Sequence, residues 1–281
     1  MRRFSNHFRA GVAAVALGLV SGPALAQAPV PAVAGDTYAD LADLADSAEM
    51  VVVAQVAKVQ RVEDERAPGR TAGHGRFYVV ARTRTLLTGS APIGESIRYL
   101  VDLPLDARGK PPAFRKQDVF LFARAVPGRP DELRLVTPTA QRRWSAGADA
   151  QVRAILKALV SPDAPARVTG VRELLHVPGN LAGQGETQIF LSTANGSAAS
   201  ITVRHEAGGA VSWGVSFSEL LAELGHPPRR DTLEWYRLAC FLPNRLAPEA
   251  NVSEGHAARR QAEADYRMVL GELGVCERSA R

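Results

Sequence analysis

The chain has 281 residues, 46% apolar and 22% charged, the composition of a globular fold with a substantial core rather than of a disordered or collagen-like chain. Its formal charge of +5 overstates the working value, because Arg2, Arg3 and Arg9 fall in the first 26 positions and no acid does. The remainder carries 31 basic and 29 acidic residues, or +2. A field that weak gives no ground for expecting nucleic acid or an anionic membrane as partner.

Residues 1–26 have the layout of a secretory signal peptide: a basic start, an apolar run over 11–20, and Ala24-Leu25-Ala26 ahead of Gln27. Cleavage after Ala26 is expected, with a periplasmic or secreted product. The apolar run is short for a bilayer span and no later stretch reaches 18 apolar residues, so no transmembrane segment is expected after cleavage. Residues 27–36 form a Pro/Ala-rich flexible leader.

Thr37 can cap a helix over 38–48, where Leu41, Leu44, Ala45 and Ala48 share an apolar face. Asp40, Asp43 and Asp46, spaced by three, read as its solvated acidic face. Four valine- and aromatic-rich strands are expected over 50–59, 76–87, 94–103 and 117–125, with a fifth over 132–136. Polar loops over 61–75 and 104–116 separate them. A helix over 148–159 follows. Five strands flanked by helices predict an OB-like five-stranded β-barrel domain over 37–160. The segment SPDAPA (161–166) reads as a linker.

The second domain, 167–281, is expected to be an antiparallel β-meander with two C-terminal helices, so the fold class is α+β. Its strands are predicted over 168–175, 187–193, 198–205 and 210–216, with turns at Asn195-Gly196 and Gly208-Gly209. Asp231 and Glu234 suggest a capping box opening a helix over 232–242. Ser253 is the expected cap of a helix running to Leu273, with Gly274 closing it. Cys240 and Cys276 then fall at adjacent helix ends. In an exported chain this pair predicts one disulfide.

Catalytic signatures are sparse. Gly214-Val215-Ser216-Phe217-Ser218 lacks the last glycine of a nucleophile elbow. No zinc pattern and no phosphate loop occurs, and no cofactor is expected. The best polar candidate is Glu173, His176 and Glu186, although Glu-x-x-His suits a helix and this segment reads as strand. A second candidate is a basic face on the second strand, where Arg76, Tyr78, Arg82 and Arg84 share one side by alternation.

The order of LADLADSAE, MVVVAQV, RTRTLLTG and QDVFLFA resembles OB-type barrels of the kind found in tissue-inhibitor-of-metalloproteinase-like domains. Through YLVDLPLDARG, HVPGNLAGQGETQIFL and DTLEWYRLACFLP, the chain after Ala26 also resembles exported alphaproteobacterial proteins of unassigned function. Metalloproteinase inhibitors of that type place a cysteine at the mature N-terminus. Gln27 stands there in this chain, so the resemblance carries no inhibitory chemistry. The leading functional reading is a non-enzymatic periplasmic binding or structural accessory protein, with an unknown envelope protein or polymer as partner. The alternatives are a hydrolase of envelope material centred on Glu173, His176 and Glu186, and a polyanion-binding barrel using the basic face.

Overall fold

A computed structural model describes residues 35–218 and 225–279; the signal segment 1–26 and residues 27–34 of the leader lie outside the described residues. Helix α1 (Tyr38–Ser47) opens on a reciprocal capping box. The Thr37 hydroxyl accepts from the Asp40 amide, and the Asp40 carboxylate accepts from the Thr37 amide.

Strand β1 (Met50–Arg61) lies at the centre of the first sheet, between β2 (His74–Thr88) and β4 (Asp118–Ala125). Both its faces are covered at its start, which is why that half is an unbroken apolar run. Val51 and Val53 lie opposite Phe122 and Phe120. β3 (Ser96–Pro104) extends the sheet beyond β2, and β5 (Leu133–Leu135) beyond β4. A sixth strand, β6 (Gln141–Arg143), also pairs with β4. It is absent from the sequence reading because three residues, two of them arginine, carry no hydrophobic alternation. All these ladders are antiparallel.

The ladder does not close into a barrel. Its edges, β3 and β5, meet only through an isolated parallel bridge, Arg98 to Glu132, and backbone bonds. The amides of Gly94, Arg98 and Asp102 donate to the carbonyls of Pro130, Asp131 and Pro138 at 2.8, 2.8 and 2.7 Å. Helix α2 (Ala146–Leu159), capped by Ser145, packs against α1.

The second sheet is a meander of β7 (Val168–Pro178), β8 (Gly185–Thr193), β9 (Ser200–His205) and β10 (Val211–Ser216), in the order β10-β9-β8-β7. Gly196, with φ +75°, takes the left-handed position that the Asn195-Gly196 turn needs. β7 runs three residues past its expected end. It is an edge strand, where a proline without an N–H is tolerated.

Helix α3 (Leu233–Ala239) is shorter than expected, and its cap is Thr232, which accepts from the Trp235 amide at 3.3 Å. Ser253 does not cap α4 (Gly255–Leu273). Its hydroxyl is turned inward and accepts from the His176 amide at 3.0 Å, leaving Glu254 at the cap position without a side-chain bond. Cys240 and Cys276 are joined by a disulfide. No described helix is long and apolar enough to cross a membrane.

Gly35–Arg281 forms one compact unit through which a single apolar cluster runs. The acidic stripe of α1, expected to be solvated, is instead a seam with the C-terminal half. Asp46 accepts from both terminal nitrogens of Arg237, at 2.8 and 2.9 Å, and from Arg167. Asp43 accepts from the Tyr236 hydroxyl and Arg278, each at 2.7 Å. Asp40 accepts from the Ser279 amide at 3.0 Å. Burial pushes the Asp40 and Asp46 carboxyls up, but these donors outweigh it and hold both below the usual carboxylate range.

Candidate functional site

Alternation along β2 turns Phe77, Val79 and Ala81 into the core and Arg76 and Tyr78 outward. Register then fixes their neighbours on β3: Arg76 faces Asp102, Tyr78 faces Leu100, and Val80 faces Arg98. With Arg134 on β5 and Pro138 beyond it, Arg76, Tyr78, Arg98, Leu100 and Asp102 line a groove of ≈ 550 Å³ on the outer face of the first sheet. Tyr78 is 38% exposed and Leu100 50%, so an aromatic ring and a large aliphatic group stand side by side in the open. Concavity, exposed apolar groups and a few charges are the general make-up of a ligand site.

The charges divide into two kinds. Arg76 is spent on structure: its Nε and Nη2 donate to Asp102 at 2.7 and 3.0 Å, and its Nη1 donates to the Pro68 carbonyl. The Thr71 amide also donates to Asp102, at 2.9 Å, which ties the loop over 61–75 to the sheet. Burial raises the Asp102 carboxyl, but Arg76 and Thr71 more than reverse that and hold it low. Arg98 pairs with Asp131, Arg129 with Glu132, and Arg84 with Asp118. Arg124 and Arg134, by contrast, lie directly opposite each other across β4 and β5. Neither has an acidic partner among the described residues, nor does Arg82.

Of the expected basic face, Arg76 and Tyr78 therefore line the groove, while Arg82 and Arg84 lie further along β2, outside its lining. Sequence reasoning missed Leu100, Arg98, Arg124 and Arg134. Alternation on β3 gives an outward Leu100, but only the approach of the two sheet edges at the Arg98–Glu132 bridge brings Arg134 into the same groove.

The other expected cluster is not brought together. Glu173 pairs with Phe190 and His176 with Thr187, so their odd spacing puts Glu173 and His176 on opposite faces of β7. Glu186 lies on the same side as Glu173, bonded to Arg204 at 3.1 Å. His176 is buried under α4 in a different network. Its Nδ1 lies 2.8 Å from the Thr187 hydroxyl, which donates to Asp265. His205 Nε2 and Gln261 Nε2 each lie 2.9 Å from the other Asp265 oxygen. Burial is the main cause of a His176 pKa below its usual value, ahead of the opposing pull of Asp265. Thr187 is fully buried, and the group braces α4 against β7, β8 and β9. Among the described residues no group of three or more His, Cys, Asp or Glu side chains is placed to hold a metal ion.

Neither a scan against protein-family models nor a search of curated proteins returns a match.

Proposed function

We propose that this chain is an exported, non-enzymatic binding or structural accessory protein of the periplasm, and that its ligand site is the groove on the β2–β3 face. Residues 1–26 serve as the cleaved export signal in this reading, and the kinship is with exported alphaproteobacterial proteins carrying a barrel module. The first sheet is read as a partly open OB-like barrel. The strand order β3-β2-β1-β4-β5, with an isolated parallel bridge between Arg98 and Glu132 where the outer two approach, supports that reading. OB-type barrels bind ligands on the face of their second and third strands. The Cys240–Cys276 disulfide supports an oxidising compartment.

One observation carries the reading: Tyr78 and Leu100 stand exposed as cross-strand neighbours inside a charged groove. The hydrolase alternative has less support, because Glu173 and Glu186 are turned away from His176 and His176 is sealed under a helix. The test is in-cell photo-crosslinking from position 100. A reproducible envelope adduct is expected there and not from position 160, where Val160, at the C-terminal cap of α2, is 70% exposed and outside the groove lining. No adduct at position 100, together with turnover of a hydrolase substrate by the purified chain, would reject the proposal.

A further inference from the structure

We infer that the groove takes an acidic saccharide, its ring against Tyr78 and Leu100 and its anionic group at Arg134 and Arg124; this rests on the groove being a ligand site. The argument begins with charge. Asp102, Asp131 and Glu132 at and beside the groove are each engaged by an arginine, namely Arg76, Arg98 and Arg129. Arg134, which lines the groove, and Arg124, which lies outside the lining and faces it across the β4–β5 ladder, are left over. Like charges directly opposite across a ladder repel. An anion placed between them turns that repulsion into two charge-assisted hydrogen bonds, and guanidinium groups match the planar geometry of a carboxylate.

The ring platform comes next. Tyr78 and Leu100 form an exposed apolar pair across the ladder, in a groove that Arg76, Arg98, Asp102 and Arg134 also line. A pyranose offers the matching pattern, with an apolar C–H face and a polar rim. A peptide adding as a strand would need a free sheet edge. Beside this groove the β3 edge is already bonded, through the Arg98 and Asp102 amides, to the carbonyls of Asp131 and Pro138 that flank β5. A single-stranded nucleic acid would need successive exposed aromatics on which to stack bases. Tyr78 has no exposed aromatic beside it, since Tyr99 in the same wall is buried with its hydroxyl donating to Gln141 at 2.7 Å.

The experiment is calorimetric titration of the purified chain with hexagalacturonate, neutral cellohexaose and a six-residue oligo-dT. Hexagalacturonate is expected to bind at least tenfold more tightly than either. Arg134→Gln and Arg124→Gln are each expected to weaken it roughly tenfold, the scale of one hydrogen bond to a charged group. Leu100→Asp abolishes it, and Arg260→Gln, a surface charge on α4, leaves it unchanged. Urea midpoints matching the parent show that the variants are folded. Equal affinity for cellohexaose, tighter binding of oligo-dT, or indifference to both arginine substitutions overturns the inference. So does a failure of hexagalacturonate and of chondroitin and heparin hexasaccharides alike. If those fail while position 100 still crosslinks to a protein, the groove stands as a site and only the saccharide assignment falls. If position 100 is silent as well, both fall.

Discussion

The seam along α1 and the groove on the first sheet are both charged, yet they use charge in opposite ways. At the seam every carboxylate of the Asp40, Asp43, Asp46 stripe meets donors from the C-terminal half, and Arg237 is itself buried. At the groove the acids are used up locally and Arg134 is left over, with Arg124 facing it just outside the lining. Charge of the first kind specifies how the two halves dock. Charge of the second kind is unsatisfied within the described residues and exposed to whatever approaches. The difference teaches that a run of like charge in sequence says little until its partners are placed.

The largest test of that contrast is Asp46→Ala. It leaves Arg237 buried without its bidentate partner, and removing one member of a buried pair costs about 3–5 kcal/mol. Urea denaturation followed by circular dichroism should show a midpoint shift on that scale. A shift below about 0.5 kcal/mol, the range of ordinary surface changes, would mean the seam is a solvated face after all.

Next in size is the disulfide. Cys240 and Cys276 are 36 residues apart, and closing such a loop is worth roughly 3–4 kcal/mol by the loop-entropy argument. The bridge also anchors the tail whose Arg278 and Ser279 reach Asp43 and Asp40. Replacing both cysteines by alanine should therefore destabilise the chain and raise amide exchange in α1, far away in sequence. Exchange that rises only around residues 275–279 would show that the tail is not part of the seam.

Much of this was legible in the sequence. The valine run of β1, the Asn195-Gly196 turn, the Thr37 cap and the α+β order each follow from local chemistry, and the cysteine pair follows from an even count in a chain with an export signal. The acidic stripe and the groove were not legible. Asp46 finds Arg237 across 191 residues, and Arg124 meets Arg134 only because β4 and β5 pair in one register. The strand parity that separates Glu173 from His176 is available in the sequence, since the segment reads as strand and Glu-x-x-His brings its ends together only on a helix. His176 and His205 share one network only through Asp265, which arrives from α4, far away in sequence.

That network gives a pH prediction separable from the seam. His176 is held below its usual pKa of 6.5, so the folded state resists a proton that the unfolded chain accepts. Its contribution to stability is complete above about pH 6.5 and is lost as pH falls through the lower folded value. Asp40 and Asp46, held below 3.8, contribute above that value and lose their share as pH falls through their own folded values. Urea midpoints from pH 8 to pH 3 should fall in two steps. Replacing His176 with Gln should remove the upper step and keep the lower one. An upper step that persists unchanged in that variant would assign it to another group.

The smallest expected effect is the sharpest discriminator. Arg134→Gln removes one of two like charges directly opposite on an exposed ladder. A surface change of this kind lies within about ±0.5 kcal/mol, and relief of cross-strand repulsion favours the stabilising side. Equal or higher stability with weaker hexagalacturonate binding would mean that Arg134 serves the groove and not the fold. A loss of stability comparable to that of Asp46→Ala would place Arg134 in the same structural class as Arg237, and the contrast between seam and groove would collapse.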